Sequence, residues 1–142
     1  MTIRQEINFK DFKYKTPISI RFADIDAFGH VNNAIYLTYF EMARSAYWNE
    51  IIEWDWSSVG IILRNSHVEY LKPIMLKDEV YAYVRTSRIG GSSFDLEYLL
   101  TKTVNGEEQL CTSGSTLCVT YDYNAGKPVP IPEYQRKKME NI

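Results

Sequence analysis

Cysteine, histidine, proline and glycine are all scarce here, with two, two, five and seven copies in 142 residues, and each scarcity closes off a class of protein. Two cysteines cannot staple a small secreted scaffold. At this length none is needed, since roughly 68–70% of the unfolded surface is buried when such a domain folds. Cys111 and Cys118 lie seven apart in one strand-like stretch, where odd spacing sends them to opposite faces and argues against a bridge. Few prolines and glycines exclude collagenous and low-complexity architectures. A net charge of only −2 gives no field that would gather nucleic acid. No uncharged run approaches the roughly 20 residues of a membrane span, and "MTIRQEINFKDFKYK" contains no apolar stretch of signal-peptide length. A cytoplasmic protein with neither nucleic-acid nor membrane partner is expected.

Standard catalytic signatures are missing too. There is no G-x-S-x-G elbow, no G-x-x-x-x-G-K-[ST] phosphate loop, no G-x-G-x-x-G, no H-E-x-x-H and no pair of C-x-x-C motifs. Asp24-x-Asp26 superficially resembles the aspartyl nucleophile of haloacid-dehalogenase-like phosphatases. Phe28 stands where that motif has threonine or valine, and no alternating β/α pattern follows. Asp24, Asp26 and His30 are metal-ligand types, but no second histidine is near them. No metal and no cofactor is expected.

What is present is apolar patterning, at 45% hydrophobic residues. "ISIRFA" (18–23) alternates as a short strand. From about Asn33 to Ile51 apolar residues leave only a narrow polar stripe through Thr38, Glu41, Ser45 and Asn49, so this helix needs enclosure by other structure. Asn32 or Asn33 suits its cap. Then "IILRNSHVEYL", "DEVYAYVRTSRI", "SFDLEYLLTKTV" and "EQLCTSGSTLCVTYDY" read as strands, the last three joined by the hairpin signals "GGS" and "NGE". The Pro-rich close suggests a surface crossing and a short terminal helix. The pattern is one α+β domain over residues 1–142, with a five-stranded antiparallel sheet curled around one long central helix. Such a sheet leaves edges that need protection, so a homo-oligomer is expected.

The stretch "DIDAFGHVNN" crowds polar side chains at the start of that helix. A helix N-terminus presents unpaired N–H groups and positive dipole, which polarise a carbonyl oxygen aimed at them. Asp26 just before it has the chemistry to attack that carbonyl or to activate a water. A thioester suits so small an apparatus, because its leaving thiolate needs less help than an amine. Blander roles are open at the same positions. The acids also serve as turn formers and helix N-terminal charges, His30 and Tyr36 as packing residues, and Glu41 as an i,i+3 partner of Arg44.

Residues 21–44, "RFADIDAFGHVNNAIYLTYFEMAR", resemble the D-x-D-x-x-G-H-V-N-N-x-x-Y-x-x-Y signature of the 4-hydroxybenzoyl-CoA thioesterase-like branch of hotdog-fold acyl-CoA thioesterases. "VEYLKPIMLKDEVYAYVR" and "GKPVPIP" continue the resemblance over nearly the whole chain. It implies a hotdog fold, an acyl-CoA substrate, and dimers whose sheets join, often as a homotetramer with the site at the subunit interface. It makes Asp26 the catalytic carboxylate, and it places the N–H that polarises the thioester at Asn33. His30 is a further catalytic candidate; Asn32, Tyr36 and Arg88 are substrate-binding candidates. For the coenzyme A phosphates Arg85, Arg88, Lys72, Lys102 and the backbone of "RIGGSS" are available. Family members closest to the hydroxybenzoyl enzyme carry apolar or aromatic residues where this chain has His30, Asn32 and Asn33, so an aromatic substrate does not follow. A non-catalytic acyl-thioester binding module and a dehydratase acting on a 3-hydroxyacyl thioester are the alternatives.

Overall fold

The computed structural model describes residues 9–141. In chain order its elements are strand β1 (Tyr14–Ile18), helix α1 (Ile35–Tyr47), strands β2 (Gly60–Tyr70), β3 (Val80–Ile89), β4 (Ser93–Val104), β5 (Glu107–Asp122) and β6 (Lys127–Pro128), and helix α2 (Glu133–Glu140). The sheet runs β1-β3-β4-β5-β2, antiparallel throughout, with the two-residue β6 added beside β5. The curled sheet around one helix is the expected arrangement, and β6 makes a sixth strand.

Three boundaries differ from expectation. The first strand is Tyr14–Ile18 rather than 18–23, because the Asp24 carboxylate folds back onto the Arg21 N–H and turns Phe22–Asp24 into a short 3-10 helix. Helix α1 stops at Tyr47 and widens into a π-type turn over Trp48–Ile52. Glu53, left-handed at φ 58°, ends that turn. The helix also starts later than the asparagine pair: its N-cap is Ala34, with no side-chain cap bond, because Asn32 Oδ1 is spent on a local turn, accepting from Ala34 N–H at 2.9 Å, while the Asn32 carbonyl accepts from Ile35 N–H.

Tyr36, Tyr39, Phe40, Ala43 and Tyr47 recur at helical spacing and are buried against the sheet. The Phe40 ring stacks on Tyr98 with centroids 4.3 Å apart. Two buried tyrosine hydroxyls are paired, Tyr98 with Thr116 and Tyr47 with Thr86, each at 2.8 Å. Burial pushes the Tyr98 pKa up to about 12 and the Cys118 pKa up to about 11. The enclosure is one-sided. Leu37 of α1 is 44% exposed and Leu63, on the inner face of edge strand β2, is 40% exposed. No Glu41–Arg44 ion pair forms among the described residues; the Arg44 guanidinium lies over the Trp48 ring at 5.9 Å. The cysteines do not face opposite ways either. The β4–β5 register skips Cys111, and this bulge restores it to the core cluster that also holds Cys118, both as free thiols.

Gly114 of β5 lets α1 approach. A Cβ there would overlap the Phe40 ring and meet the His67 carbonyl at 2.7 Å, a backbone atom that cannot yield. Gly114→Ala is expected to lower unfolding free energy by about 1–3 kcal/mol, read as a lower urea midpoint with an unchanged slope.

Candidate active site

The loop before α1 is fastened at both ends. Asp24 is only 1% exposed, and its carboxylate accepts from Tyr39 OH at 2.7 Å, from Arg21 Nη2 at 2.8 Å, and from Arg21 Nε and N at 3.0 Å. Burial alone would raise its pKa, but these donors and the Arg21 charge outweigh it and hold the carboxyl below its ordinary value of 3.8. The Tyr39 hydroxyl is pushed far up, by burial first and then by the Asp24 carboxylate. The Asp24 carbonyl accepts from Asn32 N–H at 2.9 Å, and Ile25 bridges Val31 in antiparallel fashion.

Between those ties the chain makes a tight hairpin. Asp26 N–H donates to the His30 carbonyl, Gly29 N–H to the Asp26 carbonyl, and Phe28 N–H to Asp26 Oδ1 at 2.9 Å. Gly29 sits at φ +84°, a left-handed conformation that favours glycine. Asp26 is half-buried, and its Oδ2 has no partner among the described residues. The two aspartates therefore differ: Asp24 is committed to structure and Asp26 keeps one oxygen available.

Val31 N–H donates to the Ile74 carbonyl at 2.8 Å, and Tyr70 OH donates to the Asn33 carbonyl at 2.8 Å. These bonds set the loop against the segment after β2 and leave a cleft of about 200 Å³. His30, Val31, Asn33 and Tyr36 form one wall, and Tyr70, Leu71, Lys72 and Pro73 the other. Asp26 adjoins it closely enough for its charge to act on Tyr36, whose hydroxyl pKa is raised, chiefly by burial. The Asn33 N–H, at the start of α1, has no acceptor among the described residues.

His30, Asn33 and Tyr36 thus come together beside Asp26. Asn32 spends its side-chain oxygen on the Ala34 N–H instead. Arg88 does not reach this cleft: a bulge between Thr86 and Arg88 puts it on the outer face of the sheet, paired with Asp95 at 2.8 Å and Ser93 at 3.1 Å. Arg85 is likewise held by Glu97, and Lys102 by the Pro73 carbonyl. Carbonyls of the Gly90–Ser92 turn are tied to Arg136, Ile131 and Thr120. Of the proposed cations Lys72 alone lines the cleft, with a neutral partner, Gln109, at 3.2 Å. Asp24 is too engaged to ligate a metal with Asp26 and His30, and among the described residues no three metal-ligating side chains converge. The wall from Tyr70 to Pro73 escaped sequence reasoning; the only signal was a strand interrupted by "LKP".

The thioesterase-like superfamily profile matches residues 20–139. The chain belongs to that superfamily. A thioesterase from Thermus thermophilus, solved with coenzyme A and zinc, is 37% identical over 92% of this chain and 93% of its own, with a TM-score of 0.78. The long-chain acyl-CoA thioesterase FadM of Escherichia coli is 24% identical over 90% of this chain and 98% of its own. YsmA of Bacillus subtilis is 29% identical over 90% and 86%. The superfamily's hotdog arrangement is the architecture described above. No helix among the described residues is long and apolar enough to cross a membrane.

The Asp24 clamp carries a pH signature. Its folded pKa lies below 3.8, so its stabilisation is complete above that value and is lost as pH falls through the folded pKa. Asp24→Asn is expected to cost about 1–3 kcal/mol at pH 7, with the gap from wild type narrowing towards pH 3 in urea unfolding.

Proposed function

We propose that this protein is an acyl-CoA thioesterase, hydrolysing the thioester to the free acid and coenzyme A. The observation that carries the reading is the pairing of an unpartnered N–H, at the start of α1, with an available Asp26 oxygen beside the same cleft. The carbonyl oxygen of the thioester accepts from Asn33 N–H, where the helix dipole also favours developing negative charge. Asp26 then either adds to the carbonyl carbon, giving an anhydride that water opens, or takes a proton from the water that adds. The C–S bond breaks and the coenzyme A thiolate leaves, to be protonated from solvent. His30, which lines the cleft, orients the water, Tyr36 walls the cleft, and Asn32 supports the reaction by holding the Ala34 N–H in the turn before α1. No metal or organic cofactor takes part.

The exposed Leu37 and Leu63, on the open side of α1 and on edge strand β2, support a dimer in which two sheets join along β2. The conspicuous exposure of Phe28, 84%, supports a partner or substrate over the Asp26 loop. Dimers pairing into a homotetramer complete this reading, in a cytoplasm where the two free thiols stay reduced.

Two variants test the chemistry. Asp26→Asn is expected to lower kcat/KM for acyl-CoA hydrolysis by about 10²–10⁴-fold in a thiol-release assay, with the circular dichroism of wild type. Asn33→Pro removes the N–H two residues before α1, where no intrahelical bond is lost, and is expected to lower kcat by about 10²–10³-fold with the circular dichroism of wild type. Asn33→Ala, which keeps the N–H, is expected to stay within a few-fold of wild type. Full activity in either Asp26→Asn or Asn33→Pro rejects the mechanism.

A further inference from the structure

Strand β2 is an edge of the sheet, and its middle is bare on both faces. Residues 63–67 are all exposed, although Leu63 and Ser66 belong to the face that α1 covers elsewhere. The pairing with β5 fixes that facing. Leu63 stands opposite Cys118, Ser66 opposite Thr116 and Tyr70 opposite Thr112, and all three of these β5 residues are buried. The inner set of β2 is therefore Ile61, Leu63, Ser66, Val68 and Tyr70, the step from odd to even numbers coming from the bulge at Arg64 that the ladder skips. Among the described residues no other strand takes up the free edge, and a bare edge as long as Gly60–Tyr70 is a template for one.

A second copy of β2 fits it. Directly opposed residues of an antiparallel pair lie on one face, and a two-fold contact joins residue i to j and j to i. End-to-end overlap breaks the first condition, since it sets Asn65 against Ser66 and Leu63 against His67. A shift of one rung either way restores it, with the axis at Ser66 or at Asn65. The axis at Ser66 pairs Leu63 with the partner's Val68 and Ile61 with the partner's Tyr70, apolar on apolar, whereas the axis at Asn65 sets Leu63 against the partner's Ser66. It also brings Arg64, which has no acceptor among the described residues, within two rungs of the partner's Glu69. Both the apolar matches and the charges favour Ser66.

We propose that two copies join through β2 about an axis at Ser66, and that each thereby supplies Ile61 to the other's cleft. Tyr70 is 48% exposed in its own protomer, packs edge to face on Tyr36 with centroids 5.0 Å apart, and bonds the Asn33 carbonyl. Ile61 of the partner subunit covers that exposed flank, so the wall beside the thioester is built from two chains. This assignment rests on the thioesterase reading above and on the joining of two sheets along β2.

Disulfide trapping tests the register without any substrate. Opposed antiparallel residues have Cα atoms about 4.5–5.5 Å apart, inside the span that a disulfide bridges. Ser66→Cys is expected to give a covalent dimer on mild oxidation, and Asn65→Cys, about 8 Å from its own copy, is expected to give none. The native thiols of Cys111 and Cys118 are fully buried and do not compete. No link in Ser66→Cys, or a link in Asn65→Cys formed as fast, overturns the register. Mixed dimers test the shared wall. Ile61→Asp is expected to lower kcat/KM by at least about tenfold, and Ile61→Ala, which spares the pairing, to raise KM several-fold at unchanged kcat. Refolding Ile61→Asp together with Asp26→Asn is expected to restore about a quarter of wild-type activity, because half the dimers are mixed and each mixed dimer holds one intact site. Failure to recover, or wild-type KM in Ile61→Ala, overturns the role of Ile61. The two readings fail separately: a Ser66-linked dimer that hydrolyses no acyl-CoA rejects the thioesterase reading alone, and hydrolysis without the Ser66 link rejects the register alone.

Discussion

The hydrogen bond from Tyr39 to the buried Asp24 carboxylate joins the loop to the body of α1, and the geometry of the site depends on it. Arg21 supplies the charge that keeps Asp24 ionised in a place where burial would otherwise protonate it. Charge-assisted bonds of this kind are short and strong, and leaving one such carboxylate unpartnered would destabilise the fold severely. With Asp24 fixed, its carbonyl holds the Asn32 N–H, and Asn32 in turn holds the Ala34 and Ile35 N–H groups that lead into the helix. The start of α1 and the Asp26 carboxylate are thereby held relative to each other from within one short segment.

The helix packs along its length, and in the proposed mechanism the turn that leads into it serves the chemistry. Its tyrosines and Phe40 are locked into the sheet by stacking and paired hydroxyls, which leaves little freedom to the backbone at its N-terminal end. That end is open because the Tyr70–Pro73 segment stands off from it, touching through the Tyr70 and Val31 bonds and leaving the cleft between. A rigid scaffold with a donor at a cleft is the arrangement from which electrostatic stabilisation of an oxyanion arises, since no dipole has to reorient during reaction.

The location of the site could be read in the sequence, because two acids, a glycine, a histidine and two asparagines before an apolar helix are not what packing alone selects. The helix and four of the strands could be read from periodicity. The division of labour between Asp24 and Asp26 could not, since it depends on Tyr39, fifteen residues further on, and on the fold-back to Arg21. That fold-back also displaced the first strand, as the alternation of "ISIRFA" mimics strand periodicity while Arg21 and Asp24 bond to each other. Cys111 was misplaced because it lies at a β-bulge, where one skipped residue reverses the face on which a side chain appears, and Arg88, named for its charge alone, lies beside another such bulge and faces away from the cleft. Tyr70, bonded to Asn33 across 37 positions, has no local signature at all.

The central claim is that the thioester carbonyl is held by the Asn33 N–H, just before α1 and beside Asp26. A crystal structure of the Asp26→Asn protein with a bound acyl-CoA tests it directly. The account predicts the carbonyl oxygen at about 2.7–3.1 Å from the Asn33 nitrogen, with the carboxamide that replaces the Asp26 carboxylate facing the carbonyl carbon. A thioester bound with its carbonyl away from the start of α1 would contradict it.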